Sequence, residues 1–152
     1  MSVDGVLNSQ ELYVKLHDEG KSTFSGDMEL QKKSIELVAK LAKEFDAKVV
    51  ISSTWRMGYP NHSDWKNLEK QLGEYGISIF GRTPVLWERR GIEIQKYIDE
   101  LENKGETIEN FVIIDDDMDM EHLINHLAKT DFKYGFIESN YEKAVKILKG
   151  EI

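Results

Sequence analysis

Cysteine is absent from this 152-residue chain, which excludes a disulfide framework, a zinc–thiolate centre and a thiol nucleophile. Proline occurs only at Pro60 and Pro84, and no Gly/Ser tract or internal repeat interrupts the sequence. Nothing therefore marks a linker, and one continuous domain over residues 1–152 is expected. Long hydrophobic runs are missing too. No stretch approaches the ~18 apolar residues of a membrane helix, and Met1-Ser2-Val3-Asp4-Gly5 has neither the basic region nor the apolar run of a signal peptide. The expectation is a cytoplasmic chain with no membrane partner. Basic residues are outnumbered, 20 against 28 acidic, for a formal charge of −8. That balance argues against extended binding along a nucleic-acid backbone but allows a local basic patch. What is present, 40% hydrophobic and 32% charged residues, suffices for one sizeable core.

Apolar residues recur at helical spacing from Met28 to Phe45, with Ser25 or Asp27 as candidate caps. This segment runs into Val49-Val50-Ile51, a β-branched block too short for a helix, which reads as a buried parallel strand. Phe111-Val112-Ile113-Ile114 is a second such block. Between them the pattern predicts a helix at Ser63–Tyr75, a strand near Ile77–Phe80 and a helix from Gly91 to Glu102. A short helix around Glu121–Leu127 and a last one at Tyr141–Lys149 follow. Strands alternating with helices define an α/β fold with a mainly parallel sheet covered on both faces. Ligands bind such sheets outside the carboxyl ends of the strands. The residues there are polar: Asp4 after Val3, Ser52-Ser53-Thr54-Trp55-Arg56 after Ile51, and Asp115-Asp116-Asp117 after Ile114.

Adjacent carboxylates at a strand end repel one another unless a cation or a shared proton relieves them. Oxygen donors with no Cys or His among them point to Mg²⁺. The same aspartates can instead cap the next helix. Ser52, Ser53 and Thr54 offer hydroxyl donors, and Arg56 offers a planar cation suited to phosphate oxygens. Capping by the hydroxyls, with Trp55 in the core, is the simpler use of that segment, and the two uses are compatible. Arg89-Arg90-Gly91 opens a helix with cations that oppose its dipole, which hints at an anionic partner.

Asp4-Gly5-Val6-Leu7-Asn8-Ser9, Ser52-Ser53-Thr54-Trp55-Arg56, Thr83-Pro84, Arg90-Gly91-Ile92-Glu93-Ile94 and Asp115-Asp116 occur in the order found in phosphatases of the haloacid-dehalogenase (HAD) superfamily. The chain most resembles the HAD domain of Swiss Army Knife RNA-repair proteins, with a looser likeness to the phosphatase half of polynucleotide kinase-phosphatases. The resemblance implies a three-layer Rossmann-like HAD fold with a central parallel sheet, here with its first strand shortened. It also implies Mg²⁺-dependent phosphomonoester hydrolysis through an aspartyl-phosphate. Asp4 matches the general acid/base. Ser52, or else Ser53, matches the phosphoryl-binding hydroxyl, with Thr54 and Arg56 beside it. Arg90, or else Arg89, matches the cation that neutralises developing charge. Asp115 and Asp116, with Asp4, match the Mg²⁺ ligands. The implied partner is a phosphorylated small molecule, nucleotide or nucleic-acid end.

The departure is at Ser2. The family pattern places the nucleophilic aspartate two residues before Asp4, where this chain has Ser2. A hydroxyl without a base is a weak nucleophile and supplies no anionic metal ligand. Impaired or absent turnover and weak Mg²⁺ binding are expected. A chain start displaced downstream and a native substitution both account for this, the second giving a non-catalytic, phosphate-sequestering or partner-binding pseudophosphatase. His122 and His126 read as ordinary helix-surface residues, and Trp65 and Trp87 as partly buried, with base stacking as the functional alternative.

Overall fold

The computed structural model describes residues 1–151. Ser9 opens the first helix, α1 (Gln10–Asp18), by accepting a hydrogen bond from the Leu12 amide at 3.1 Å. The remaining elements are α2 (Lys32–Phe45), β1 (Val49–Ile51), α3 (Ser63–Gly73), β2 (Ile79–Arg82), α4 (Arg90–Asn103), β3 (Ile113–Asp115), β4 (Leu127–Lys129) and α5 (Glu138–Leu148), with 3₁₀ turns at Thr54–Gly58 and Glu121–His126. Helix α1 escaped the apolar-period reading because Leu16 is its one buried residue. Strand β4 did so because Leu-Ala-Lys carries no apolar run. Helix α2 starts later than expected, after Gln31, with no side-chain cap. Ser25 and Asp27 thus lie before an extended stretch in which Met28 and Leu30 are already buried.

The strands form two parallel pairs, β1 with β2 and β3 with β4, where the sequence suggests one continuous central sheet. The reason lies between them. Met1 runs alongside β1, donating from its amine to Val50 O at 2.7 Å and accepting from the Ser52 amide at 2.9 Å. Ser2 donates to Ile114 O at 2.9 Å on the β3 side. This segment touches both pairs without itself forming a strand. Beyond Met1, between the two pairs, lies a cavity of about 430 Å³ walled by residues that include Leu41, Val50, Ile94 and Ile114. The Met1 amine at its edge is held down to a pKa of about 5, chiefly by burial and against the pull of Asp115.

The main core joins Val3, Val6 and Leu7 to Ile35, Val38 and Leu41 of α2, Leu68 and Leu72 of α3, and Ala144 and Ile147 of α5. A smaller cluster, Ile94, Ile113, Met120, Leu123 and Leu127, packs α4 against β3 and β4. Gly91 is required in that contact, since a Cβ there would overlap the backbone of Met120. His126 stacks on Phe111 and bonds its carbonyl, and His122 meets Gln95, so both rings serve packing and surface contacts. Among the described residues no helix is long and apolar enough to cross a membrane.

Candidate functional site

The carboxyl ends of β1, β2 and β3 and the start of α4 bring most of the expected polar residues together. Ser52 is one hydrogen bond from Met1, Ser2 is one from Ile114, and the Arg90 guanidinium lies 3.9 Å from the Asp115 carboxylate. Gly5 closes the remaining side. Its φ of +77° suits glycine, and a Cβ there would overlap the Asp116 carboxylate, so the Asp4–Gly5 turn lies against the aspartate pair.

Asp4 is positioned by its neighbours. Its carboxylate accepts from Asn8 Nδ2 at 2.8 Å and from the Trp55 indole N–H at 3.2 and 3.3 Å. Asn8 is held in turn by the Gly5 amide at 3.0 Å. Sequence reasoning gave neither Trp55 nor Asn8 a part in the site. The signal was available in Trp55, whose buried indole N–H needs an acceptor.

Arg56 requires a correction. It is buried, and its guanidinium bonds Thr83 O at 2.9 Å, Ser52 O at 2.9 Å, Ser53 O at 2.8 Å, Pro84 O at 3.3 Å and Glu93 Oε1 at 2.9 Å. All five guanidinium N–H donors are thereby used. Arg56 fastens the Ser52–Ser53 turn to the Thr83–Pro84 turn and to α4, and has no donor left for phosphate. Burial lowers its pKa from the ordinary value, and the Glu93 carboxylate opposes that shift. The other hydroxyls divide between structure and site. Ser53 Oγ caps the 3₁₀ turn by accepting from the Trp55 amide at 3.2 Å, and Thr54 is exposed.

Helix α4 also resolves the unfavourable cations at its start. Arg89, its N-cap residue, pairs with Glu121, while the Arg90 amide donates to Asp119 Oδ2 at 3.2 Å and its side chain faces Asp115. Carboxylates of the chain itself thus offset charges that the sequence suggested an external anion would meet.

What remains is a group of buried polar atoms without partners: Ser52 Oγ, Thr83 Oγ1, Arg90 Nη1, Asp115 Oδ2 and Asp119 Oδ1. Unmet buried polar groups are costly, and a cluster of them at strand ends is a place for a ligand. Thr83 is the member of this group that sequence reasoning leaves out of the site: a hydroxyl before a proline reads equally well as a turn. Asp115 Oδ1 accepts from the Asp117 amide at 3.1 Å, while burial first, helped by the neighbouring Asp116 carboxyl, raises the Asp115 pKa to about 6 against the pull of Arg90. Asp115 and Asp116 are adjacent hard oxygen donors, so their chemistry fits Mg²⁺. Asp4 accepts from Asn8 and Trp55, which leaves part of its acceptor capacity unused. Among the described residues no three His, Cys, Asp or Glu side chains converge as metal ligands.

Linkage turns the Asp115 shift into an expected result. A carboxyl with a folded pKa above its unfolded value is protonated more readily in the native state, so stability falls as pH rises from 3.8 to about 6. Above that range the full cost of an ionised, buried Asp115 is present. In chelator, Asp115→Asn should therefore stabilise the protein by about 2–3 kcal/mol near pH 8 and by much less near pH 4. Urea unfolding at both pH values measures this. A variant less stable than the parent near pH 8 would show that ionised Asp115 is a net structural asset.

Parallel strand pairs flanked by helices, with hydroxyl, guanidinium and carboxylate groups gathered at the strands' carboxyl ends, define an α/β protein with a polar strand-end site. The chain belongs to the family described as the HAD domain in Swiss Army Knife RNA repair proteins, matching it over residues 1–141. That membership makes it a phosphohydrolase-type scaffold. Comparison with curated proteins and with solved structures gave no match.

Proposed function

We propose that this chain, acting as one HAD-like unit over residues 1–152, captures a phosphorylated nucleic-acid end at the strand-end site and turns it over slowly or not at all. The observation that carries this reading is the trio of unpartnered donors, Ser52 Oγ, Thr83 Oγ1 and Arg90 Nη1, which suit the oxygens of a phosphoryl group. The choice of substrate rests on the family, described as a HAD domain in RNA repair proteins. The low turnover rests on Ser2, a hydroxyl where the family pattern has its nucleophile.

In this reading Ser52 and Thr83 donate to phosphoryl oxygens and Arg90 neutralises their charge. Asp4, oriented by Trp55 and Asn8, is placed to hold or release a proton at the ester oxygen. Asp115 and Asp116 would hold Mg²⁺, which when bound supplies positive charge to the phosphoryl group. A central sheet in three layers, completed through the Met1–Val3 segment, is the architecture consistent with this assignment.

Titration with a phosphorylated and a hydroxyl-ended oligonucleotide tests the reading. The phosphorylated end should bind more tightly, and Arg90→Ala should weaken it about ten- to a hundredfold, the worth of a charge-assisted hydrogen bond. Equal affinity for both ends would sink the capture reading. Fast Mg²⁺-dependent hydrolysis that survives Ser2→Ala would sink the assignment of Ser2.

A further inference from the structure

Beside the phosphate-type site stands a residue that the assigned chemistry does not use. Trp87 is 81% exposed, whereas Trp55 and Trp65 are 5% and 2% exposed. Both Trp65 and Trp87 were expected to be partly buried, and the structure sends them to opposite extremes. Trp87 also has a φ of +57°, a left-handed conformation that bulky residues rarely adopt. Exposure loses burial and the backbone angle adds strain, so folding alone gives no reason for tryptophan here.

The loop that carries it is firmly held. Arg56 bonds the carbonyls of Thr83 and Pro84, Glu93 Oε2 accepts from the Leu86 amide at 2.7 Å, and Asp119 holds the Arg90 amide. The ring is thus presented on an anchored loop between two residues of the site, Thr83 and Arg90. Trp87 lies three positions before Arg90, at most about 11 Å away along the chain. The first few nucleotides of a strand, at about 3.4 Å each, cover that span.

We propose that Trp87 is the base-stacking residue of this site. It takes a nucleobase near the end of a single-stranded nucleic acid whose terminal phosphate occupies the Ser52, Thr83 and Arg90 donors. This inference rests on the proposed function and adds the residue that separates a nucleic-acid end from a small phosphomonoester. Two observations favour a base over a protein surface. Val85 and Leu86 before it are only partly exposed, at 37% and 41%, and Glu88 and Arg89 directly after it end the apolar run, leaving one projecting aromatic ring on the loop. With a net charge of −8, the protein gains little from gripping a backbone, whereas stacking needs no charge. Arg82, stacked on the half-exposed Tyr59 ring 3.5 Å from its centroid, supplies a cation just before the same loop.

The experiment reads tryptophan fluorescence, since Trp87 is the exposed one of three. A 5′- or 3′-phosphorylated oligoadenylate should quench the signal, and inorganic phosphate should not. Read by the fluorescence anisotropy of an end-labelled oligoadenylate, since the variants lack the reporting ring, Trp87→Ala should weaken binding about five- to a hundredfold while leaving competition by inorganic phosphate unchanged. Trp87→Phe should restore most of the affinity. Both variants should melt no lower than the parent, because the side chain is exposed. Unchanged oligoadenylate affinity in Trp87→Ala, with phosphate still competing, would overturn the stacking proposal and leave the capture reading intact. Quenching that is indifferent to the terminal phosphate would keep Trp87 as a stacking residue and remove the phosphate pocket. Absence of binding by the parent would remove both.

Discussion

Arg56→Ala is expected to cost about 3–5 kcal/mol of folding stability, a large share of the roughly 5–15 kcal/mol typical of a folded domain. The side chains of Arg56 and Glu93 are 4% and 6% exposed, so removing the arginine leaves a buried carboxylate without its cation. Four backbone carbonyls, those of Ser52, Ser53, Thr83 and Pro84, lose a donor at the same time. Chemical denaturation measures the loss. Replacing both partners by apolar residues, as in Arg56→Met with Glu93→Leu, should recover part of it, because the unpaired charge is then gone. A loss below about 1 kcal/mol for Arg56→Ala would mean that water enters and solvates Glu93. The same substitution should weaken phosphate capture in whatever fraction remains folded, since Arg56 fastens the turns that carry Ser52 and Thr83.

Ser2→Asp is expected to raise Mg²⁺-dependent hydrolysis of a phosphomonoester by about a hundredfold or more over the unmodified chain, still well short of the roughly million-fold worth of a nucleophile in a fully evolved site. The substitution introduces a carboxylate able to attack phosphorus and, with Asp115 and Asp116, an additional anionic oxygen for a metal. Without metal the added charge should destabilise the fold, because Asp115 is buried and already resists ionisation. Added Mg²⁺ should then raise the melting temperature of the variant more than that of the parent. This second readout does not depend on turnover. Hydrolysis no faster than the parent's, together with an undiminished Mg²⁺ response, would place the fault in geometry at Ser2 and not in its chemistry. Adding an apolar extension before Met1 tests that case, since the cavity between β1 and β3 could then be filled and the Met1–Val3 segment steadied.

Much of the fold was legible because period and composition are local properties. Helix α2 and strand β1 follow from apolar spacing, since each apolar side chain there reports the face that must be buried. Helix α1 and strand β4 were hidden for the converse reason: Ser9 caps a helix that buries only Leu16, and β4 is three residues long. Their place is set by neighbours and not by their own pattern. The two parallel pairs likewise depend on what lies between β1 and β3, which no local window contains.

For the site, the order of residues alone shows which chemistry is available: hydroxyls, arginines and paired aspartates following short apolar strands, with Ser2 in place of an aspartate. Which of these groups are free is settled by packing in three dimensions. Arg56 and Arg90 carry the same side chain in adjacent motifs, yet Arg56 uses all five N–H donors on protein acceptors while Arg90 keeps a buried nitrogen unpartnered. Trp55 and Trp87 divide in the same way, one buried and bonded to Asp4, the other exposed on an anchored loop. Residue type fixes what a group can donate or accept, but whether that capacity is already spent depends on partners far away in sequence that only the fold brings within reach.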